Sequence, residues 1–170
     1  MELRFRLAEV GDLPGLKAMY GGIVQKMERD GTPIWDDVYP ACALGGDVER
    51  GQLYVVTENG AVVSAFALSD FHNGTDSVQW TNRRAGAVYL DRLGVRADAS
   101  RRGVGARAVE FAAAVAREKG AEFLRLFVVA VNRPAMDFYE KNGFVRVGGC
   151  YEEIVDESLA LCEFGFELTL

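Results

Sequence analysis

The run Arg101-Arg102-Gly103-Val104-Gly105-Ala106 puts two guanidinium groups and two glycines where an apolar stretch, Ala87 to Val95, gives way to an alanine-rich helical pattern. Strand, glycine turn and helix in that order can build an anion site. Glycine lets the backbone turn tightly and come close to a ligand, so that unpaired N–H groups at the helix start can point at phosphate oxygens. Many helices also begin after glycine for steric reasons alone, so the hexapeptide by itself leaves phosphate binding and plain helix initiation both open. A second grouping is Trp35-Asp36-Asp37-Val38-Tyr39-Pro40, with Trp80 further along. Aromatic faces attract ammonium groups and a carboxylate can pair with one, although the plainer reading is that Trp35 and Tyr39 pin a loop onto the core.

Other chemistries are narrowed by residue counts. His72 is the only histidine, so multi-histidine metal sites, and any Ser-His-Asp or Cys-His catalysis that does not run through it, are ruled out; it is expected on an exposed loop. Cys42, Cys150 and Cys162 are odd in number and lack a Cys-x-x-Cys pair, so reduced thiols are expected, with neither a disulfide framework nor a metal site. A formal net charge of −6 argues against nucleic acid as a partner. No apolar run approaches the roughly 18 residues that span a bilayer, so no membrane partner is expected. The opening Met1–Ala8 alternates charged and apolar residues, without the apolar core of an export signal, and a cytoplasmic location is expected. The 170 residues suit a single domain, 1–170, able to bury a core without disulfides or metal.

The elements that must position these groups follow from periodicity. Leu3, Phe5 and Leu7 alternate with arginines as in a half-buried strand, and Asp12 is placed to cap a helix with Pro14 in its first turn. That helix carries Leu13, Leu16, Met19, Tyr20, Ile23 and Met27 on one face and is broken at Gly31-Thr32-Pro33; a shorter helix is predicted from Ala41 to about Arg50. Residues 53–57 and 61–68 read as a hairpin around Asn59-Gly60, a pair that supplies the positive φ values of a tight turn. A polar connection over 70–84 follows. The second half then alternates: strand 87–95, helix 104–119, strand 123–129, helix 134–141, strand 144–148, and a last strand over 161–168.

Four segments, in this order, resemble the GNAT superfamily of acetyl-CoA-dependent N-acetyltransferases. Tyr89-Leu90-Asp91-Arg92-Leu93-Gly94-Val95 is similar to the family's fourth strand and Gly103-Val104-Gly105-Ala106 to its pyrophosphate loop. Asn132-Arg133-Pro134-Ala135 is similar to its pantetheine-side turn, and Phe138-Tyr139-Glu140-Lys141-Asn142-Gly143-Phe144 to its closing motif. The resemblance implies an α+β fold: a central, mostly antiparallel twisted sheet of about six to seven strands flanked by helices, with the fourth and fifth strands splayed. One departure is visible, since the family loop opens on Gln or Arg and here the position is Ser100; Arg101 or Arg102 would replace the affected contact.

The resemblance also implies roles. Acetyl-CoA would be the cosubstrate, held by the backbone of Leu93, Gly94 and Val95, by Ser100, Arg101, Arg102, Gly103, Val104, Gly105 and Ala106, and by Asn132, which can also cap the following helix. By the two-residue strand period, Tyr89, Asp91, Leu93 and Val95 would share one face and Leu90 and Arg92 the other. Tyr139 would be the general acid that protonates the departing thiolate. Asp91 is the carboxylate placed to serve as base for the amine, or else to form an ion pair with an arginine. Trp35, Asp36, Tyr39 and Trp80 would line the pocket for a small-molecule or peptide amine, which attacks directly in a ternary complex. The rival reading is a noncatalytic acyl-CoA-binding or sensing module. A homodimer formed partly through the C-terminal strand is expected.

Overall fold

The computed structural model describes residues 2–170. Its strands are β1 (Leu3–Leu7), β2 (Leu53–Glu58), β3 (Ala61–Ser69), β4 (Val78–Gln79), β5 (Ala87–Val95), β6 (Phe123–Val129), β7 (Val145–Arg146), β8 (Gly148–Gly149), β9 (Tyr151–Ile154) and β10 (Ala160–Thr169). The α-helices are α1 (Leu13–Arg29), α2 (Leu44–Glu49), α3 (Val104–Glu118) and α4 (Arg133–Lys141). The chain divides into two compact units, one made of Met1–Leu68 with Asp91–Ala112 and the other of Ser69–Leu90 with Ala113–Leu170. Both β5 and α3 therefore contribute residues to each.

In the first unit the strand order is β1–β2–β3–β5, with β1–β2 and β2–β3 antiparallel. Asn59 and Gly60 take φ of 51° and 81° at the β2–β3 turn, the left-handed pair the sequence predicts there. The apolar face of α1 packs Leu16, Met19, Tyr20 and Ile23 against Leu53, Val55, Ala65 and Ala67 of the sheet, with Leu44 of α2 beside them. Asp12 does precede α1, but it makes no side-chain cap. Its carboxylate accepts from both terminal guanidinium nitrogens of Arg6 and from the Glu9 N–H, and the Arg6 bond holds its pKa below the usual value. The second helix is shorter than predicted because 39–43 is taken up by turns, closed by Cys42 N–H to the Val38 carbonyl and Ala43 N–H to that of Pro40.

In the second unit β5 pairs in parallel with β6 over Ala87–Tyr89 and Phe123–Arg125, while β10 runs antiparallel to β6, β7 and β9. The mixed α+β class and the mostly antiparallel pairing agree with the sequence, and β9 is a strand it did not predict. The segment read as one strand over 144–148 is two short ones, β7 on β10 and β8 on β4. No helix of the described residues is long and apolar enough to cross a membrane.

The cysteines differ from expectation. Cys150 and Cys162 form a disulfide, bringing together residues at the base of the β9–β10 hairpin, and Cys42 is free and exposed. A chromogenic disulfide reagent should therefore count one thiol in the native protein and three after reduction and unfolding; three without reductant would refute the bridge.

Candidate functional site

The glycine-arginine turn belongs to the first unit. Arg101 and Gly103 take φ of 60° and 80°, and α3 starts at Val104. Alternation of left-handed residues with ordinary ones curls successive N–H groups toward one side, and the first N–H groups of a helix have no partner within it. An anion placed there meets several main-chain donors together with the positive end of a helix dipole. Nothing lies within 4 Å of where a Cβ would stand at Gly103, so the ground beside the turn is open to a ligand. The arginines differ in their ties: Arg102 is engaged by Glu58 at the end of β2, with Nη2 at 2.8 and 3.0 Å from the two carboxylate oxygens. Ser100 turns inward, its hydroxyl 3.4 Å from the Arg96 carbonyl.

Upstream of the turn, β5 departs from simple alternation. Val88, Tyr89 and Leu90 are buried in succession, and Arg92 has φ of 52°, a left-handed residue inside a strand and the mark of a bulge. The extra rotation breaks the two-residue period, so the expected common face for Tyr89, Asp91, Leu93 and Val95 does not continue through Arg92. Three contacts hold this bulge. The Tyr20 hydroxyl donates to the Arg92 carbonyl at 2.5 Å, and the Ser64 hydroxyl donates to the Gly94 carbonyl at 2.7 Å. The Arg92 guanidinium reaches Asp47 of α2, with Nε and Nη2 each 2.8 Å from Oδ2. Gly94 has to be glycine, since a Cβ there would stand 2.7 Å from the Tyr20 ring and 2.9 Å from Ile23.

The proposed acceptor residues of this unit are tied to the same arginine. Arg92 Nη1 lies 3.3 Å from the Tyr39 hydroxyl, Tyr39 meets Trp35 edge-on with ring centroids 6.5 Å apart, and Trp35 packs on Tyr20 at 5.7 Å. Burial works against the charge on Arg92, but Tyr39, Asp91 and Asp47 outweigh it and hold its pKa above the ordinary value. Asp91 contributes to that field as a charge on the neighbouring residue of β5. Asp36 commits one oxygen to the N–H groups of Val38 and Tyr39, at 2.8 and 2.7 Å; these bonds, Tyr39's first, lower its pKa.

The second unit holds the remaining residues. Asn132 caps α4, its side-chain oxygen accepting from the Ala135 N–H at 3.3 Å, which leaves its amide nitrogen as the part not used by the cap. Tyr139 is half-buried on α4 between Phe138 and Phe144, with ring centroids 5.2 and 5.4 Å away. Trp80 is only 6% exposed, with the Arg125 guanidinium 4.5 Å over its ring and its ring N–H donated to the Thr75 carbonyl. These contacts are those of a core residue. His72 is not the exposed loop residue expected. It stacks on Phe127 at 4.1 Å and lies edge-on to Tyr151 at 5.8 Å, while its Nδ1 accepts from the Gly74 N–H. Close approach is possible because position 74 is glycine: a Cβ would stand 2.7 Å from Tyr151 and 2.8 Å from Phe127. Among the described residues no group of three or more His, Cys, Asp or Glu stands together to hold a metal.

Residues 23–144 match the acetyltransferase (GNAT) family model. The chain belongs to the GNAT family. A Bacillus subtilis (strain 168) protein provisionally named phosphinothricin acetyltransferase YwnH is 27% identical over 151 residues, covering 86% of each chain. Among solved structures, a GNAT-family acetyltransferase from Streptococcus agalactiae superposes with a TM-score of 0.82 at 16% identity, covering 99% of this chain and 95% of that one. YncA of Salmonella typhimurium, solved with acetyl-CoA, does so with a TM-score of 0.69 at 18% identity, covering 100% and 95%. These structures establish that the fold is the GNAT fold. The bulged strand, the left-handed turn and the start of α3 all fall within the matched residues 23–144.

Proposed function

We propose that this GNAT protein, as one domain over 1–170, moves an acetyl group from acetyl-CoA to a primary amine, on a small metabolite or a peptide, by direct attack within a ternary complex. The observation that carries the reading is the turn at Arg101 and Gly103, whose left-handed residues open onto the start of α3. Acetyl-CoA supplies an activated thioester and a pyrophosphate that suits those main-chain donors. Arg101 adds charge to the turn, and Arg102 can join once it leaves Glu58. The backbone of Leu93, Gly94 and Val95 lies along the arm, and the Leu93 N–H polarises the thioester carbonyl as an oxyanion donor without a charged side chain. The Asn132 amide nitrogen meets the pantetheine, and Tyr139 returns a proton to the thiolate. Asp91 takes a proton from the ammonium. The acceptor lies near Trp35, Asp36 and Tyr39. The YwnH relative makes phosphinothricin the first amine to try.

The test is calorimetry with acetyl-CoA followed by thiol release against a panel of amines that includes phosphinothricin. Submicromolar to micromolar binding with amine-dependent thiol release is expected. Binding with no transfer to any amine would favour the noncatalytic acyl-CoA module instead. Gly103→Val, which strains a backbone at φ of 80°, should weaken acetyl-CoA binding by about tenfold, the equivalent of ~1–2 kcal/mol of left-handed strain. Unchanged affinity would remove the turn from the site.

A further inference from the structure

Tyr20 and Ser64 lie outside the four short segments that resemble the family's motifs, yet each directs its hydroxyl at β5. Tyr20 is 1% exposed and Ser64 fully buried. A phenol has a single hydrogen to donate; the Arg92 carbonyl at 2.5 Å takes it in preference to the Ala65 carbonyl at 3.4 Å. The Arg92 and Gly94 carbonyls both belong to ordinary trans peptides. In a planar trans peptide the C=O and the N–H of the next residue point in opposite directions. Fixing the Arg92 carbonyl on Tyr20 therefore aims the Leu93 N–H away from α1 and the core of its unit. Fixing the Gly94 carbonyl on Ser64 of β3 likewise aims the Val95 N–H away from β3. A donor on the carbonyl also draws electron density from the amide and strengthens its N–H as a donor, by about 10–30% per bond.

We propose that the buried hydroxyls of Tyr20 and Ser64 are positioning groups for acyl transfer, which aim and polarise the Leu93 and Val95 N–H groups toward the thioester arm. The inference rests on the acetyl-CoA reading above. It explains why a left-handed Arg92 is kept in the strand. The rotation turns its peptide so that the carbonyl meets a phenol from α1, and the N–H in that plane is committed to the other side before any ligand arrives. Such preorganised donors cost no reorganisation during reaction.

The experiment measures the carbonyl resonance of acetyl-CoA labelled with 13C at the thioester carbon, bound to the wild type and to Tyr20→Phe, Ser64→Ala and Ser64→Thr. Phenylalanine keeps the ring against Gly94 and removes only the hydroxyl, whereas threonine keeps a hydroxyl at position 64. The expected result is a downfield shift on binding to the wild type that falls by at least half in Tyr20→Phe and by a smaller part in Ser64→Ala. It should return in Ser64→Thr, with dissociation constants from calorimetry all within threefold. A role confined to folding would lower the melting temperature and leave the shift of bound acetyl-CoA unchanged. That result, in whichever of the two hydroxyl-deleting variants folds, overturns the proposal. So does a wild type that binds acetyl-CoA with no shift. A wild type that binds no acetyl-CoA overturns the acetyl-CoA reading itself, and this inference with it.

Discussion

Replacing Tyr139 with phenylalanine is expected to lower kcat by about 100-fold, at the low end of what a positioned general acid contributes, while leaving acetyl-CoA affinity within about threefold. The contrast between the two numbers follows from the packing. The Tyr139 ring is held by aromatic edges on both sides, with Phe138 and Phe144 centroids at 5.2 and 5.4 Å, and phenylalanine keeps both contacts. The turn after α4 is untouched as well, since it is closed by main-chain bonds from Asn142 and Phe144 to the Tyr139 carbonyl. Only the hydroxyl is lost. In the proposed role the hydroxyl gives its proton to the leaving thiolate in the transition state and not in the bound ground state, so kcat and kcat/KM should fall together. Steady-state kinetics on an accepted amine, with calorimetry for acetyl-CoA, measures both. A kcat within twofold of wild type would show that water or another group carries the proton.

The parts of this machinery that the sequence reveals are those written in local pattern. Ala87–Val95 and Phe123–Val129 are apolar runs of strand length and appear with the predicted bounds. Asn59-Gly60 and Gly103 announce left-handed backbone by residue type. Arg92 gives no such sign, because an arginine at φ of 52° is held by tertiary contacts that offset its strain. Asp47 is equally silent: in Leu44-Gly-Gly-Asp-Val-Glu it reads as an ordinary helix carboxylate, and its bond to Arg92 spans 45 residues. The β9–β10 hairpin escapes notice because Glu152, Glu153, Asp156 and Glu157 have the polarity of a loop. Without that hairpin nothing brings Cys150 near Cys162. His72 misleads for a related reason, since the stack that covers it comes from Phe127 and Tyr151, far along the chain.

Asp47→Asn should be the most destabilising of the polar substitutions, lowering stability by about 3–5 kcal/mol, as expected when one partner of a buried ion pair is removed. Asp47 is fully buried and accepts from two arginines, Arg50 Nη2 at 2.8 Å from Oδ1 and Arg92 at 2.8 Å from Oδ2. The arginines do not share the loss equally. The Arg50 side chain is 58% exposed and water can replace the carboxylate, whereas that of Arg92 is 15% exposed and keeps its charge with little solvent to answer it. At roughly 2–4 °C per kcal/mol for a chain of this size, the melting temperature should drop by roughly 10 °C. The partly exposed pair between Arg102 and Glu58 is the control. Its side chains are 45% and 15% exposed, so Arg102→Ala leaves a carboxylate that water still reaches and should cost about 1 kcal/mol, well below Asp47→Asn. Equal shifts in thermal melts of the two variants would mean that Asp47 is not the anchor of the β5 bulge. Once the carboxylate at position 47 is replaced by an amide, the Arg92 guanidinium also loosens its hold on the Tyr39 hydroxyl. The same substitution should therefore raise KM for the amine, if residues 35–40 hold the acceptor as proposed, because that loop reaches β5 through Arg92; steady-state kinetics over a range of amine concentrations measures it.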